Sequence, residues 1–214
     1  MALIVKSFEF NMFGENTFII FDDESKEGCI IDPGMMTEYE KQVTDTYIKA
    51  KNIKIKHLLL THLHIDHVMG VSHIKETFGL KVSASNKDAF LGKTIAQQIQ
   101  RFHLPINVPN VEIENDVKDG DLIKLGENTI VAISTPGHSL GGLSFYSEEF
   151  KFVITGDTLF NGSIGRTDLP GGDYATLIKS ITNKLLTLPG DTIVYPGHGM
   201  QTTISNETKF NPYL

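Results

Sequence analysis

Residues 61–67 read Thr61-His62-Leu63-His64-Ile65-Asp66-His67, four metal-ligand side chains within six positions. Such crowding is costly in an ordinary interior, where each buried polar group needs a partner. The stretch follows His57-Leu58-Leu59-Leu60 directly. That short apolar run predicts a buried strand. In extended chain the i, i+2 pair His62 and His64 point the same way, while Asp66 and His67 diverge into a following helix. The segment therefore reads as a strand end that presents metal ligands.

Three further apolar runs end the same way. Val131-Ala132-Ile133-Ser134 leads to Gly137-His138, Phe152-Val153-Ile154-Thr155 to Gly156-Asp157, and Ile193-Val194-Tyr195 to Pro196-Gly197-His198. A strand end joins a rigid base to an exposed tip, and glycine permits the tight turn that aims the side chain. His62, His64 and His138 can supply three imidazoles. Asp66, His67 and His198 can supply a carboxylate and two more, and Asp157 has two oxygens with which to bridge. Seven donors exceed the three protein ligands plus water of one catalytic zinc. They suit two metals ~3.5–4 Å apart. Nitrogen and oxygen donors without thiolate favour zinc, iron or manganese. A lone histidine after a strand is usually a satisfied structural residue, and His57, His73 and His103 are read that way.

The chain of 214 residues is long enough for one sizeable core, so residues 1–214 are expected to form a single domain. The first half reads as strands at Leu3 to Phe10, Asn16 to Phe21 and Cys29 to Ile31, with the polar DDESKEG as a hairpin turn. A helix from Glu38 to Ala50 follows, with Tyr39, Val43, Tyr47 and Ile48 on its apolar face. The second half gives strands at Leu122 to Leu125, Thr129 to Ser134, Leu143 to Tyr146, Phe152 to Thr155 and Thr192 to Tyr195. Its helix starts from an Asp173 cap and ends before Pro189-Gly190, burying Tyr174, Leu177, Ile178, Ile181, Leu185 and Leu186. The shared element order predicts two similar β-rich halves packed together. Between them, Asn86 to Asn110 holds a helical stretch from Lys93 to Phe102 and then two prolines, an excursion placed to cover a site.

Net charge of −7 disfavours a nucleic-acid surface. No apolar run approaches the ~20 residues of a membrane helix. The start, MALIVKSFEFN, lacks the pattern of a secretory leader. Cys29 is the lone cysteine, which excludes an internal disulfide. These points predict a cytoplasmic protein without membrane or nucleic-acid partners. Cys29 itself, within Gly28-Cys29-Ile30-Ile31, reads as a buried strand residue rather than a nucleophile.

THLHIDH, Gly137-His138, Gly156-Asp157 and Pro196-Gly197-His198 together resemble the motifs of the metallo-β-lactamase fold. The likeness covers nearly the whole chain. TPGHSLGGLSFY, GDTLFNGSIGRTDLPGGD and the tail GHGMQTTISNETKFNPYL narrow it to the short glyoxalase II-like hydrolases, similar to hydroxyacylglutathione hydrolases. The resemblance implies an α/β (α+β) fold, a four-layer αββα sandwich with the metals at one edge between the sheets. It implies two divalent ions, zinc foremost with iron or manganese as alternatives. His62, His64 and His138 would hold the first, Asp66, His67 and His198 the second, with Asp157 bridging. Asp66 and Asp157 would also orient the attacking hydroxide. Asp32, in Ile31-Asp32-Pro33-Gly34, matches an aspartate that orients a metal-bound histidine. Arg166 falls where related enzymes place a basic contact to glutathione.

Only sixteen residues follow His198, so the C-terminal helical domain that helps hold glutathione in longer glyoxalase II enzymes is absent from this sequence. The expectation is a thioester hydrolase acting on small 2-hydroxyacyl thioesters, with weak dependence on the thiol half. The rivals are a persulfide dioxygenase with a single iron, an RNA-processing nuclease, a flavin-partnered redox enzyme and a non-catalytic metal-binding module. There is no G-x-S-x-G elbow and no HExxH helix to suggest other hydrolytic chemistry.

Overall fold

The computed structural model describes residues 2–214, and Met1 lies outside them. The first sheet orders its strands sequentially: β1 (Leu3–Phe10), β2 (Glu15–Asp22), β3 (Glu27–Ile31), β4 (Lys54–Leu59), β5 (Val82–Ala84) and β6 (Asn115–Asp116). β1 to β3 pair antiparallel, and β3 to β6 run parallel. The second sheet holds β7 (Leu122–Leu125), β8 (Asn128–Ser134), β9 (Leu143–Ser147) and β10 (Phe152–Gly156). A small hairpin, β11 (Leu159–Phe160) and β12 (Ser163–Ile164), stands apart. The second sheet is completed by β13 (Ile193–Pro196) and β14 (Thr202–Thr203), in the order β14-β13-β10-β9-β8-β7.

Period-two alternation places the layers. Every residue of β2 is buried. Phe18 and Ile20 point into the core between the sheets, with Cys29, Ile31, Phe145, Phe152 and Ile154. Ile19 and Phe21 point the other way, into a core shared with the first half's helices. On the second sheet Val153 and Val194 face outward onto Leu177, Ile181 and Leu185. Three cores separate four layers, the αββα sandwich expected.

The helices are α1 (Glu38–Ala50), α2 (Ile65–Val68), α3 (Val71–Phe78), α4 (Ala89–Gly92), α5 (Ile95–Arg101), α6 (Tyr174–Ser180) and α7 (Ile204–Phe210). Thr37 and Glu40 form a capping box on α1. Two assignments to apolar faces are corrected. Tyr39 is 74% exposed and Tyr174 is 54% exposed. Each lies in its helix's first turn; α1 is seated by Thr44 and Ile48, with Val43 and Tyr47 packed against the same core. α6 runs on through a π-helical segment, Ile181–Leu185. The helix read from Lys93 to Phe102 is α5, Ile95–Arg101, and a separate short helix, α4, precedes it, ending at Gly92 where Thr94 Oγ1 bonds the carbonyls of Phe90 and Leu91. β4 starts earlier than the apolar run because Lys54 and Lys56 are outward-facing positions of the same strand.

Candidate metal centre

The chain leaves β4 at Leu60 and reaches α2 within five residues, carrying His62, His64, Asp66 and His67. His138 sits on the loop after β8, Asp157 directly follows β10, and His198 follows β13. All seven residues named from sequence converge at one edge between the sheets. Donor atoms of His62, His64 and His138 lie within 4.8 Å of one another, and so do those of Asp66, His67 and His198. Asp157 spans the two groups. Its Oδ1 is 3.3 Å from His67 Nε2, and its Oδ2 is 3.5 Å from both His138 Nε2 and His198 Nε2. Asp66 Oδ2 is 3.2 Å from His198 Nε2.

Two glycines allow this approach. Gly156, at φ +49°, packs where a Cβ would strike Thr61 of the other sheet. At Gly197 a Cβ would overlap Asp157 Oδ1 and press on His67. The three residues ending in His198 therefore need glycine for contact, not only for turning.

The hydrogen bonds assign the ring protons. His138 Nδ1 is 2.7 Å from the Arg166 carbonyl, His198 Nδ1 is 3.1 Å from the Phe13 carbonyl, and His67 Nδ1 is 3.0 Å from Asp32 Oδ2. These oxygens only accept, so each Nδ1 carries a proton and Nε2 is the ring atom turned inward. Thr61 Oγ1 donates to Asp32 Oδ2 at 2.5 Å, so it accepts from His62 Nδ1 at 3.0 Å. His64 alone presents Nδ1, 2.8 Å from His138 Nε2. Asp32 accepts from Thr61 N, Thr61 Oγ1 and His67 Nδ1 together. It lies close enough to His62 and His67 to complete a third donor group, but its oxygens are committed to these bonds. Those bonds hold Thr61 and the His67 ring in place.

The electrostatics fit a cation. Nε2 of His62 and of His67, and Asp157 Oδ1, are buried without a hydrogen-bond partner, a cost that bound metal removes. Burial, reinforced by neighbouring imidazoles, holds His62 well below the usual range and pushes His64 down to about 3. Both stay neutral, as ligation requires. At the other triad burial opposes charge but is outweighed. Asp157, Asp66 and Asp32 raise His67 well above its ordinary value, and bonds to Asp157 and Asp66 push His198 up to about 10. Asp157 is likewise held well below the carboxylate range, where burial is overcome by His67 and His198. The field there favours positive charge, and imidazole nitrogens with carboxylate oxygens are the donor chemistry of zinc, iron or manganese.

Five of the donors, His64, Asp66, His138, Asp157 and His198, line a cavity of about 330 Å³ walled by Phe13, Phe102, Phe160, Ile164 and Leu169. Arg166 reaches its rim, but its guanidinium is forked onto Asp168 by two 2.7 Å bonds. Its clearest service is its backbone carbonyl on His138. His57 bonds the Lys124 carbonyl and His73 pairs with Asp45, away from the donors. Several supporting residues were not legible in the sequence. Asn16 donates to the carbonyls of Pro196 and Gly199 and its backbone N–H to that of Gly197, which fixes the His198 loop. Gln98 accepts from Ile65 N and donates to the Leu63 carbonyl, bracing the HxHxDH loop. Asp88 accepts from Ser139 Oγ and Gly141 N and braces the His138 loop. No local pattern marks these three, because each partner is distant in sequence.

The metallo-beta-lactamase superfamily model matches residues 12–198. The hydroxyacylglutathione hydrolase GloC of Haemophilus influenzae is 42% identical over 203 residues, 94% of this chain and 93% of that protein. Among solved structures, BLEG-1 B3 metallo-beta-lactamase superposes with a TM-score of 0.89 at 32% identity, covering 99% of both chains. TTHA1623, solved in a di-iron-bound form, superposes with a TM-score of 0.83 at 31% identity over the full length of both.

Proposed function

We propose that this chain, which belongs to the metallo-β-lactamase superfamily, is a two-metal hydrolase of acyl thioesters, of the hydroxyacylglutathione hydrolase type. The observation that carries the reading is the pair of complete triads joined by Asp157, with four of the five imidazoles, all but His64, locked by an acceptor on the far side. The sequence relation to a hydroxyacylglutathione hydrolase supports thioesters over other acyl groups. Zinc is the ion we assign, and the di-iron state of TTHA1623 makes iron the first alternative to test. Bound there, two ions would lower the pKa of water toward ~7 and polarise a carbonyl oxygen.

The chain's own residues do the rest. His62, His64 and His138 would hold one ion, and Asp66, His67 and His198 the other. Asp157, touching both groups, fixes their separation. Asp66 and Asp157 accept hydrogen bonds from water in the cavity and aim it at the acyl carbon. Phe13, Phe102, Phe160 and Leu169 exclude bulk solvent, which strengthens each electrostatic contact inside. A thiolate leaves readily, so no protein acid need protonate it. The substrate is a small molecule, and we assign no nucleic-acid or membrane partner. No helix among the described residues is long and apolar enough to cross a membrane.

The test is metal analysis joined to turnover of a panel: S-lactoylglutathione, other acyl thioesters, lactones, a chromogenic cephalosporin and glutathione persulfide. Thioester hydrolysis that depends on two ions per chain is the expected result. Oxygen consumption on the persulfide with one iron per chain, and no thioester turnover, would overturn it.

A further inference from the structure

A second and larger cavity, about 530 Å³, opens beside the metal cavity beneath α4 and α5. The two share His64, Phe102 and Leu169 as a common wall. Phe90, Leu91 and Pro170 add most of the remaining apolar surface. Its exposed lining is mostly apolar, with the amides of Gln97 and Gln100 and the Thr94 hydroxyl, which bonds the Phe90 and Leu91 carbonyls, as polar groups. Gln98 also lines it, yet its amide is spent on Ile65 N and the carbonyls of Leu63 and Leu91. Arg101 lies at the rim and supplies the only cationic side chain among the lining residues. At the metal cavity, Arg166 is already neutralised by Asp168.

We infer that this cavity is a substrate subsite that takes an apolar arm, so that the preferred thioesters carry a hydrocarbon chain or ring on one side of the scissile bond. The inference rests on the thioester reading above. The geometry is that of a bound molecule whose carbonyl sits among the metal ligands while one arm passes His64 into the second cavity. A volume of this size is in the range of small-molecule sites, which are mostly apolar with few fixed polar groups. A peptidic thiol such as glutathione, carrying two carboxylates, would meet one cationic side chain and the Gln97 and Gln100 amides in an otherwise apolar wall. A hydrocarbon arm would meet van der Waals partners over Phe90, Leu91, Phe102, Leu169 and Pro170. Which arm enters, acyl or thiol, is settled by varying each alone.

The experiment uses the metal-loaded protein and two matched series. One varies the acyl chain from two to eight carbons on a fixed N-acetylcysteamine thiol. The other varies an alkyl thiol over the same lengths on a fixed lactoyl group. In one series kcat/KM should rise about fourfold per methylene, the factor expected when each CH₂ leaves water. In Gln97→Trp, which projects an indole into the cavity from α5, the ratio of eight-carbon to two-carbon substrate should fall at least tenfold. The ratio is taken within each protein, so a general loss of activity cancels. Gln100→Trp, on the same helix, is the second variant should the first fail to fold. Binding is measured independently by calorimetry with octanoate and butyrate, with octanoate at least tenfold tighter in the wild type and the contrast lost in the tryptophan variant. Flat dependence in both series, or a slope unchanged in both variants, would overturn the subsite. Retention of the octanoate contrast without any thioester turnover would instead sink the thioester reading and leave the subsite standing.

Discussion

Replacing Asp32 by asparagine isolates what one buried carboxylate does for the metal ligands. Asp32 sits at φ +51°, a conformation asparagine tolerates, so the backbone is not at issue. All three of its partners donate to it: Thr61 N at 2.7 Å, Thr61 Oγ1 at 2.5 Å and His67 Nδ1 at 3.0 Å. Asparagine offers one oxygen and an NH₂ group. If the NH₂ replaces Oδ2, it faces the Thr61 hydroxyl and the His67 N–H. His67 must then surrender its Nδ1 proton to accept, and the proton moves to Nε2, where it blocks ligation. If the amide flips, the NH₂ opposes the Thr61 N–H, donor against donor. Either way a buried donor is left unsatisfied, which costs ~1–3 kcal/mol. Losing the orienting partner of a ligating histidine typically weakens metal affinity ~10–100-fold, equivalent to ~1.4–2.7 kcal/mol. The assay is zinc competition against a chromogenic chelator, with stoichiometry, on wild type and Asp32→Asn, and thermal unfolding of each. The ion held by Asp66, His67 and His198 should lose 10–100-fold and the other stay within about threefold. A destabilisation of ~2 kcal/mol would lower Tm by roughly 4–8 °C. Both affinities within threefold of wild type, with His67 still protonated at Nδ1 by ¹⁵N NMR, would refute the tautomer argument.

Asp66→Ala should abolish most hydrolysis and leave one ion per chain, while the circular dichroism spectrum stays native; near-normal turnover in the folded variant would count against its assignment. Asp88→Ala strips the acceptor from Ser139 Oγ and Gly141 N. It should cost ~2–5 kcal/mol of stability by chemical denaturation, and a cost below ~1 kcal/mol would show that the His138 loop needs no such brace. Cys29 is fully buried and its thiol is pushed up to about 12 by that burial. The raised pKa withholds thiolate at all pH values below it, so iodoacetamide at pH 8 should label unfolded but not native protein; rapid native labelling would expose an opening of the inter-sheet core.

Much of the centre was legible because metal ligands cluster where apolar runs stop. THLHIDH packs four donor side chains into six positions, and the three glycine-flanked strand ends bring His138, Asp157 and His198 to the same edge. The four layers came from the family resemblance, while the residue pattern alone pointed to two β-rich halves; the structure shows alternate residues of β2 feeding two different cores. The hidden part lies in contacts that no window of sequence contains. Asn16 meets Pro196 across 180 positions, and Gln98 looks like any polar residue of a helix until its amide is seen on the HxHxDH loop. Arg166 was read as a basic contact to glutathione, and in the structure Asp168, two residues on, takes its guanidinium. Tyr39 and Tyr174 fit a helical period, but periodicity cannot say which turns of a helix are covered. α7 escaped notice because its fixed point is polar: Glu207 gathers Gly162 N, Thr202 Oγ1, Asn206 Nδ2 and Asn211 Nδ2 into one buried knot.

The uneven spread of the ligands along the chain bears on the order of assembly. His62, His64, Asp66 and His67 are neighbours in any conformation, whereas His138, Asp157 and His198 arrive only when the second sheet has formed. Closing those longer loops adds little entropy cost per doubling of length, about 0.6 kcal/mol, so the delay is one of time more than of free energy. An unfolded chain thus already owns a weak chelating tetrad, and metal bound there raises the stability of the denatured state as well as the native one. Added zinc should therefore raise the melting temperature by less than its native-state affinity implies. The ion present while the first half is folding has the first claim on a centre that the second half later encloses.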